Sequence, residues 1–149
     1  MRYQPDVETY NFTFTLQKGE RWSDALAGFT KKTGVDSAWL TIIGGVLNVT
    51  LGYYNLDTKQ YQWRTFEGLR EITSAQGNIT LDQNGTVMAH VHGTFGDDNY
   101  SLIGGHVKDF VAGATVEVFV HRFDTSLKRA QNNDIGLPLL DLRGDDANA

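Results

Sequence analysis

The sequence predicts an α+β fold, a twisted, largely antiparallel sheet of about seven or eight strands with one main helix. Three observations predict it. Apolar and polar residues alternate with period two through most of the chain, as where Tyr10, Phe12, Phe14 and Leu16 face Thr9, Asn11, Thr13 and Thr15. One stretch changes period, with Trp22, Ala25, Leu26 and Phe29 at i, i+3, i+4 and i+7. Between the alternating runs lie short turn signals of the hairpin kind, of which Asn84-Gly85 is the clearest. At 149 residues the chain is long enough for one domain with a real core and too short to expect two.

In order, Val7 to Leu16 reads as a strand with one side buried, and Lys18-Gly19 turns the chain. Glu20 to about Thr33 is the helix, with Gly34 at its C-terminal cap and Lys31-Lys32 where cations complement the dipole. Val35 to Ile43 is mostly apolar and suits a strand buried on both faces, ending in a bend at Gly44-Gly45. Val46 to Tyr54 follows as a strand, Asn55 to Lys59 as a loop, and Gln60 to Phe66 as the hairpin partner. Glu67-Gly68 interrupts that run before Arg70 to Leu81 continues in extended form, with Ile72, Ile79 and Leu81 as core candidates. Val87 to Gly93 and Ser101 to Val107 are strands joined through the turn-forming Asp97-Asp98-Asn99. Asp109 to Gly113 reads as a connection, and Thr115 to Phe123 as a strong strand whose Val116, Val118 and Val120 alternate with Glu117, Phe119 and His121. This gives a domain core of about residues 8–124 within residues 1–149, followed by an extension over 125–149. In that extension Ile135 to Leu140 is apolar and expected to dock on the body or on a neighbouring subunit, with residues 141–149 expected to be mobile.

The chemistry is concentrated between His90 and His106. Strand alternation puts His90 and His92 on one face, about 6 to 7 Å apart at Cα. The hairpin through Asp97-Asp98-Asn99 then carries His106 towards them. Three imidazoles converging on one point hold a divalent metal, zinc first, with a fourth position open. The plainer alternative is three partly buried histidines bonded to backbone groups.

With no cysteine, disulfides and thiolate ligands are excluded, so metal ligands must be His, Asp or Glu. No window approaches the length of a membrane span and no leader is visible, so the expectation is a soluble, cytoplasmic protein without a membrane partner. The net charge of −5 and scattered basic residues disfavour DNA as a partner, since affinity for a duplex comes largely from neutralised phosphates. Gly44-Gly45 and Gly104-Gly105 lack the spacing and following helix of a phosphate loop.

The succession Gly44-Gly45, Leu51-Gly52-Tyr53-Tyr54, Phe66-Glu67-Gly68, Gly77-Asn78-Ile79, Ala89-His90-Val91-His92, Leu102-Ile103-Gly104-Gly105-His106 and Val116-Glu117-Val118-Phe119 resembles the PPC domain, the plants-and-prokaryotes-conserved family. The resemblance runs from about Tyr10 to Phe123. It implies a twisted antiparallel sheet and a homotrimer, and it brings a DNA-binding label that arises largely from AT-hook segments in plant members. No Arg-Gly-Arg-Pro core is present here, and Arg143-Gly144 is followed by Asp145-Asp146. The fold is also similar to that of acetolactate decarboxylase-like zinc proteins, in which a His-x-His pair and a third histidine hold zinc. The matching positions are His90, His92 and His106.

Three functions stay open. The first is a trimeric module that binds a small anionic ligand or regulates a partner, with a metal site at His90, His92 and His106. The second is a metal-dependent lyase or hydrolase on a small carboxylate or ester, which needs a carboxylate for proton transfer. Glu117 is the first candidate for that role and Glu71 the second, each with a plain alternative as a salt-bridge partner of Arg70 or Arg122. His121 is read as structural or surface. The third is DNA binding, as the family label suggests.

Overall fold

Alternation becomes strand pairing over most of the chain in the computed structural model, which describes residues 2–5 and 10–142. The elements are β1 (Arg2–Pro5), β2 (Asn11–Gln17), α1 (Trp22–Thr33), β3 (Ala38–Asn55), β4 (Gln60–Leu81), β5 (Val87–Gly96), β6 (Leu102–Arg122), β7 (Lys128–Asn132) and β8 (Leu137–Asp141). They make one sheet in the order β1-β2-β6-β3-β4-β7-β8, with β5 paired to both β4 and β6. Among the described residues all strand pairs are antiparallel except the Leu81 to Lys128 contact of β4 with β7. Because β3 pairs with β4 and β6, and β5 also pairs with β4 and β6, these four strands close a circuit of hydrogen-bonded neighbours.

The helix lies against this sheet by its apolar stripe. Trp22, Ala25, Leu26 and Phe29 are all buried, Phe14 stacks on Phe29 at 4.7 Å, and Trp22 stacks on Phe110 at 5.5 Å. Gly34 ends the helix at φ 71°, its N–H donating to Thr30 O. At the other end Arg21 provides no side-chain cap. The cap comes from β6 instead: Asp109 accepts from Ser23 N at 3.2 Å, Ser23 Oγ at 3.1 Å and Arg21 Nη1 at 2.9 Å. Asp109 to Gly113 is therefore strand and helix cap, where a connection was expected.

Other expected boundaries move for local reasons. The first long strand begins at Asn11, and residues 6–9 of the expected Val7 to Leu16 run lie outside the described residues. Gly44-Gly45 does not end a strand. Gly44, at φ 130°, sits in a register shift within continuous β3, where a Cβ would meet the Thr115 carbonyl and Val116 Cα. The chain also passes through Glu67-Gly68 without leaving β4, Gly68 absorbing the irregularity at φ 86°. The start of β3 is buried on one face and not on both: Leu40 and Ile42 are fully buried, whereas Trp39 and Ile43 are 42% and 43% exposed.

The C-terminal extension is more structured than its composition suggests. Its apolar segment forms β8, which among the described residues pairs only with β7, and this hairpin lies on the body, one of the two places expected for it. Tyr54 donates to Ile135 O at 2.7 Å, Lys59 Nζ to Asn133 O at 2.8 Å, and Leu81 N to Leu127 O at 2.9 Å. The mobility expected of residues 141–149 falls outside the described residues from 143 onward.

Candidate functional site

The histidines are brought together by strand register. On β5, His90 lies opposite Asn78 and His92 opposite Gln76 of β4. The turn of the β5–β6 hairpin is closed by Tyr100 N donating to Asp97 O and by Asp97 N donating to Ser101 O. It returns β6 so that His106 pairs directly with His92, with Gly52 of β3 on its other side. Gly77 makes the approach of β4 possible, since a Cβ there would collide with the His90 carbonyl.

The three rings form a nearly equilateral group. Their centroids are 5.0 Å (His90 to His92), 5.2 Å (His90 to His106) and 5.3 Å (His92 to His106) apart. One ligand nitrogen from each lies within 4.8 Å of the others. The Nε2 atoms of His90 and His92 are 3.1 Å apart. Two nitrogens bound tetrahedrally to one zinc at 2.0–2.1 Å would be about 3.3 Å apart, so the pair is already close to ligand spacing. His106 Nδ1 is buried with no hydrogen-bond partner among the described residues. The donor set, three imidazoles without a carboxylate, suits zinc and its neighbours among the transition metals.

Burial favours the neutral form of His90 and His106, the form that ligates a cation. It pushes His106 down to about 4, helped by the neighbouring His90, His92 and Arg129. His90 is lowered by the same desolvation, then by Arg129 and His92.

Residues that no sequence pattern singled out complete the surroundings. Tyr61 and Trp63 on β4 lie 5.0 Å and 5.9 Å from the His106 ring, and Lys108 sits 4.8 Å above Trp63. Arg129 of β7 reaches His90, its Nη2 lying 3.2 Å from Nδ1. Between these groups and the β7–β8 hairpin is a cavity of about 160 Å³. The Tyr61 and Trp63 alternation is visible in the Gln60 to Phe66 run, but nothing local to Lys128-Arg129 signals an inward-facing arginine.

The carboxylates proposed for proton transfer are elsewhere. Glu117 lies opposite Ile43 and Thr15, eleven residues beyond His106, or about 36 Å along the strand. Glu71 pairs with Gly96 and Gly45, five residues before Gln76, or about 16 Å along β4. It lines a different groove, with Arg70 and Asp97, which form an ion pair at 3.5 Å. His121 bonds Asn11 through Nδ1 at 2.8 Å, away from the other three.

A sequence profile of the Plants and Prokaryotes Conserved (PCC) domain matches residues 4–124. The chain belongs to this family. Its PCC domain is similar to that of a protein proposed to bind DNA from Bacteroides thetaiotaomicron VPI-5482, at 28% identity and a TM-score of 0.87, over 94% of this chain and 96% of that one. A metal-containing protein from Archaeoglobus fulgidus is 26% identical with a TM-score of 0.81, over 94% of this chain and 98% of that one. The alpha-acetolactate decarboxylase of Bacillus subtilis strain 168 shares the fold at 17% identity and a TM-score of 0.55, over 97% of this chain and 63% of that one. No protein of curated function matches. The three histidines lie inside the matched PCC span, whereas Arg129 and the β7–β8 hairpin lie beyond it. Among the described residues no helix is long and apolar enough to cross a membrane.

Proposed function

We propose that this PCC protein holds a divalent metal, zinc first, through His90, His92 and His106, and that it works as a homotrimeric module binding a small anionic ligand. The observation that carries the reading is the 3.1 Å separation of the His90 and His92 Nε2 atoms beside a third, equidistant imidazole. A metal-containing relative at 26% identity supports it. An ion there would supply Lewis acidity and an open position for an oxygen ligand. This chain's own part is to keep His90 and His106 neutral, to orient all three rings and to exclude bulk water with Tyr61 and the β7–β8 hairpin. For the trimer, the support is an apolar outer sheet face at Trp39, Ile43 and Phe119, which are 42%, 43% and 45% exposed on adjacent strands. Such a face is unusual unless another surface covers it.

The test is elemental analysis of protein purified without chelator or affinity nickel, beside His90→Ala, with the mass of the assembly recorded on the same samples. The expected result is about one ion per chain, lost in the variant. Wild-type protein that takes up no metal even after incubation with zinc would return the histidines to a structural role.

A metal-dependent lyase or hydrolase is the second reading, favoured by the fold shared with acetolactate decarboxylase. It ranks behind because, among the described residues, no acidic side chain lines the histidine cavity. DNA binding, suggested by the Bacteroides relative, ranks third, since a trimer of chains at −5 each carries −15. Absence of a shifted band at low salt and micromolar protein would remove it.

A further inference from the structure

Arg129 is the only charged side chain among the buried described residues, at 7% exposure. Among the described residues no carboxylate accompanies it. Its Nε donates to Thr80 Oγ1 at 2.8 Å, Nη1 to the Pro138 carbonyl at 3.1 Å, and Nη2 to Asn78 Oδ1 at 2.8 Å, with His90 Nδ1 at 3.2 Å. All four partners are neutral acceptors, so they satisfy hydrogen bonds without compensating the charge. A buried cation is costly unless paired with an anion. A guanidinium has five N–H groups, and one on Nη1 is left over among the described residues.

The cavity that Arg129 lines has a matching shape. Met88, Leu137, Pro138 and Leu139 give it an apolar side, while His90, His106 and the guanidinium give it a polar one. Among the described residues no acidic side chain lines it. At about 160 Å³ it is well below the ~300–1,000 Å³ of sites for drug-sized ligands. A phosphate would leave the apolar side unused and would ask for more donors than are left. We propose that this cavity binds a short aliphatic carboxylate, whose charge pairs with Arg129 and whose alkyl end packs on Met88 and the β8 residues. The proposal names the ligand class for the cavity beside the candidate metal centre, yet it rests on the uncompensated charge of Arg129 and not on the ion.

Isothermal titration of the full chain with butyrate, its neutral isostere butyramide and inorganic phosphate tests it, with zinc content measured on each sample. Wild type is expected to bind butyrate at least about tenfold more tightly than butyramide, the usual scale for a hydrogen bond to a charged group. Arg129→Gln should abolish that preference and Arg129→Lys should retain part of it. Leu139→Trp, which fills the cavity and leaves the guanidinium in place, should weaken butyrate while far-ultraviolet dichroism stays unchanged. Butyrate binding no tighter than butyramide, or unaffected by Arg129→Gln and Leu139→Trp, or weaker than phosphate, would overturn the proposal. Zinc bound without any butyrate preference would sink this inference alone. Butyrate preference in protein that takes up no zinc would sink the metal reading alone.

Discussion

Arg129 Nη2 stands 3.2 Å from His90 Nδ1, while the Nε2 of the same ring faces His92 at 3.1 Å. A guanidinium can only donate, so Nδ1 accepts and the proton of neutral His90 belongs on Nε2, an assignment made from the hydrogen-bond network. A metal-bound histidine ordinarily has the reverse arrangement, its second nitrogen donating to a carbonyl or carboxylate. Loading with zinc is therefore expected to break the Arg129 contact and free an Nη2 N–H towards the cavity. The Arg129 side-chain resonances in a nitrogen–proton correlation spectrum should move on saturation with zinc. Resonances that stay put at full zinc occupancy would mean that the ion does not use His90 Nε2.

Acid should destabilise the chelator-treated protein through the same rings. In the folded chain His106 titrates near 4 and His90 below its ordinary value, against about 6.5 when unfolded. Between those values the unfolded chain binds more protons, so this stability is fully present above pH 6.5 and declines as pH falls towards 4. The urea midpoint should drop from pH 7 to pH 4.5, and His106→Gln should flatten that slope. An equal slope in the variant would mean that other groups cause the loss.

Leu26 belongs to the stripe that α1 buries against the sheet. Leu26→Ala should cost about 2 to 5 kcal/mol in chemical denaturation, as other buried leucine truncations do. A loss below about 1 kcal/mol would place that face of the helix in contact with solvent.

Asp109 caps α1 from another element, accepting from the second helical N–H while paired with Arg21. Asp109→Ala should cost about 0.5 to 2 kcal/mol, the range for lost N-caps, and should raise hydrogen exchange at Ser23 before it does so at Phe29. Uniform protection along the helix in the variant would refute the capping role.

Where the backbone obeys a simple period, the fold was legible. The Phe12 to Leu16 alternation, the Trp22 to Phe29 stripe with its Gly34 cap, and the return of His106 through Asp97-Asp98-Asn99 all follow from local rules and are found in place, whereas Tyr10 lies before the strand and is exposed. Gly44 and Gly68 misled because a glycine can end a strand or let it bend, and only the neighbouring strand decides between the two. The triad was readable because its members share one face and one hairpin. Arg129 was not, since nothing near residue 129 encodes its meeting with Asn78, Thr80 and His90 across the sheet. Glu117 and Glu71 were proposed for their residue type and face, and distance along the strands separates them from the histidines.

All three imidazoles come from a single hairpin, His106 following His90 by only sixteen residues. Closing so short a loop loses little chain entropy, and local contacts of this kind are among the first a chain can form. Arg129, by contrast, meets the site only through β4 and the later hairpin, contacts of greater sequence separation. A cation present during refolding would then find its ligands before the cavity has walls, and zinc should speed the early phase of refolding more than it slows unfolding. The metal centre would be a nucleus of this domain as well as its working part.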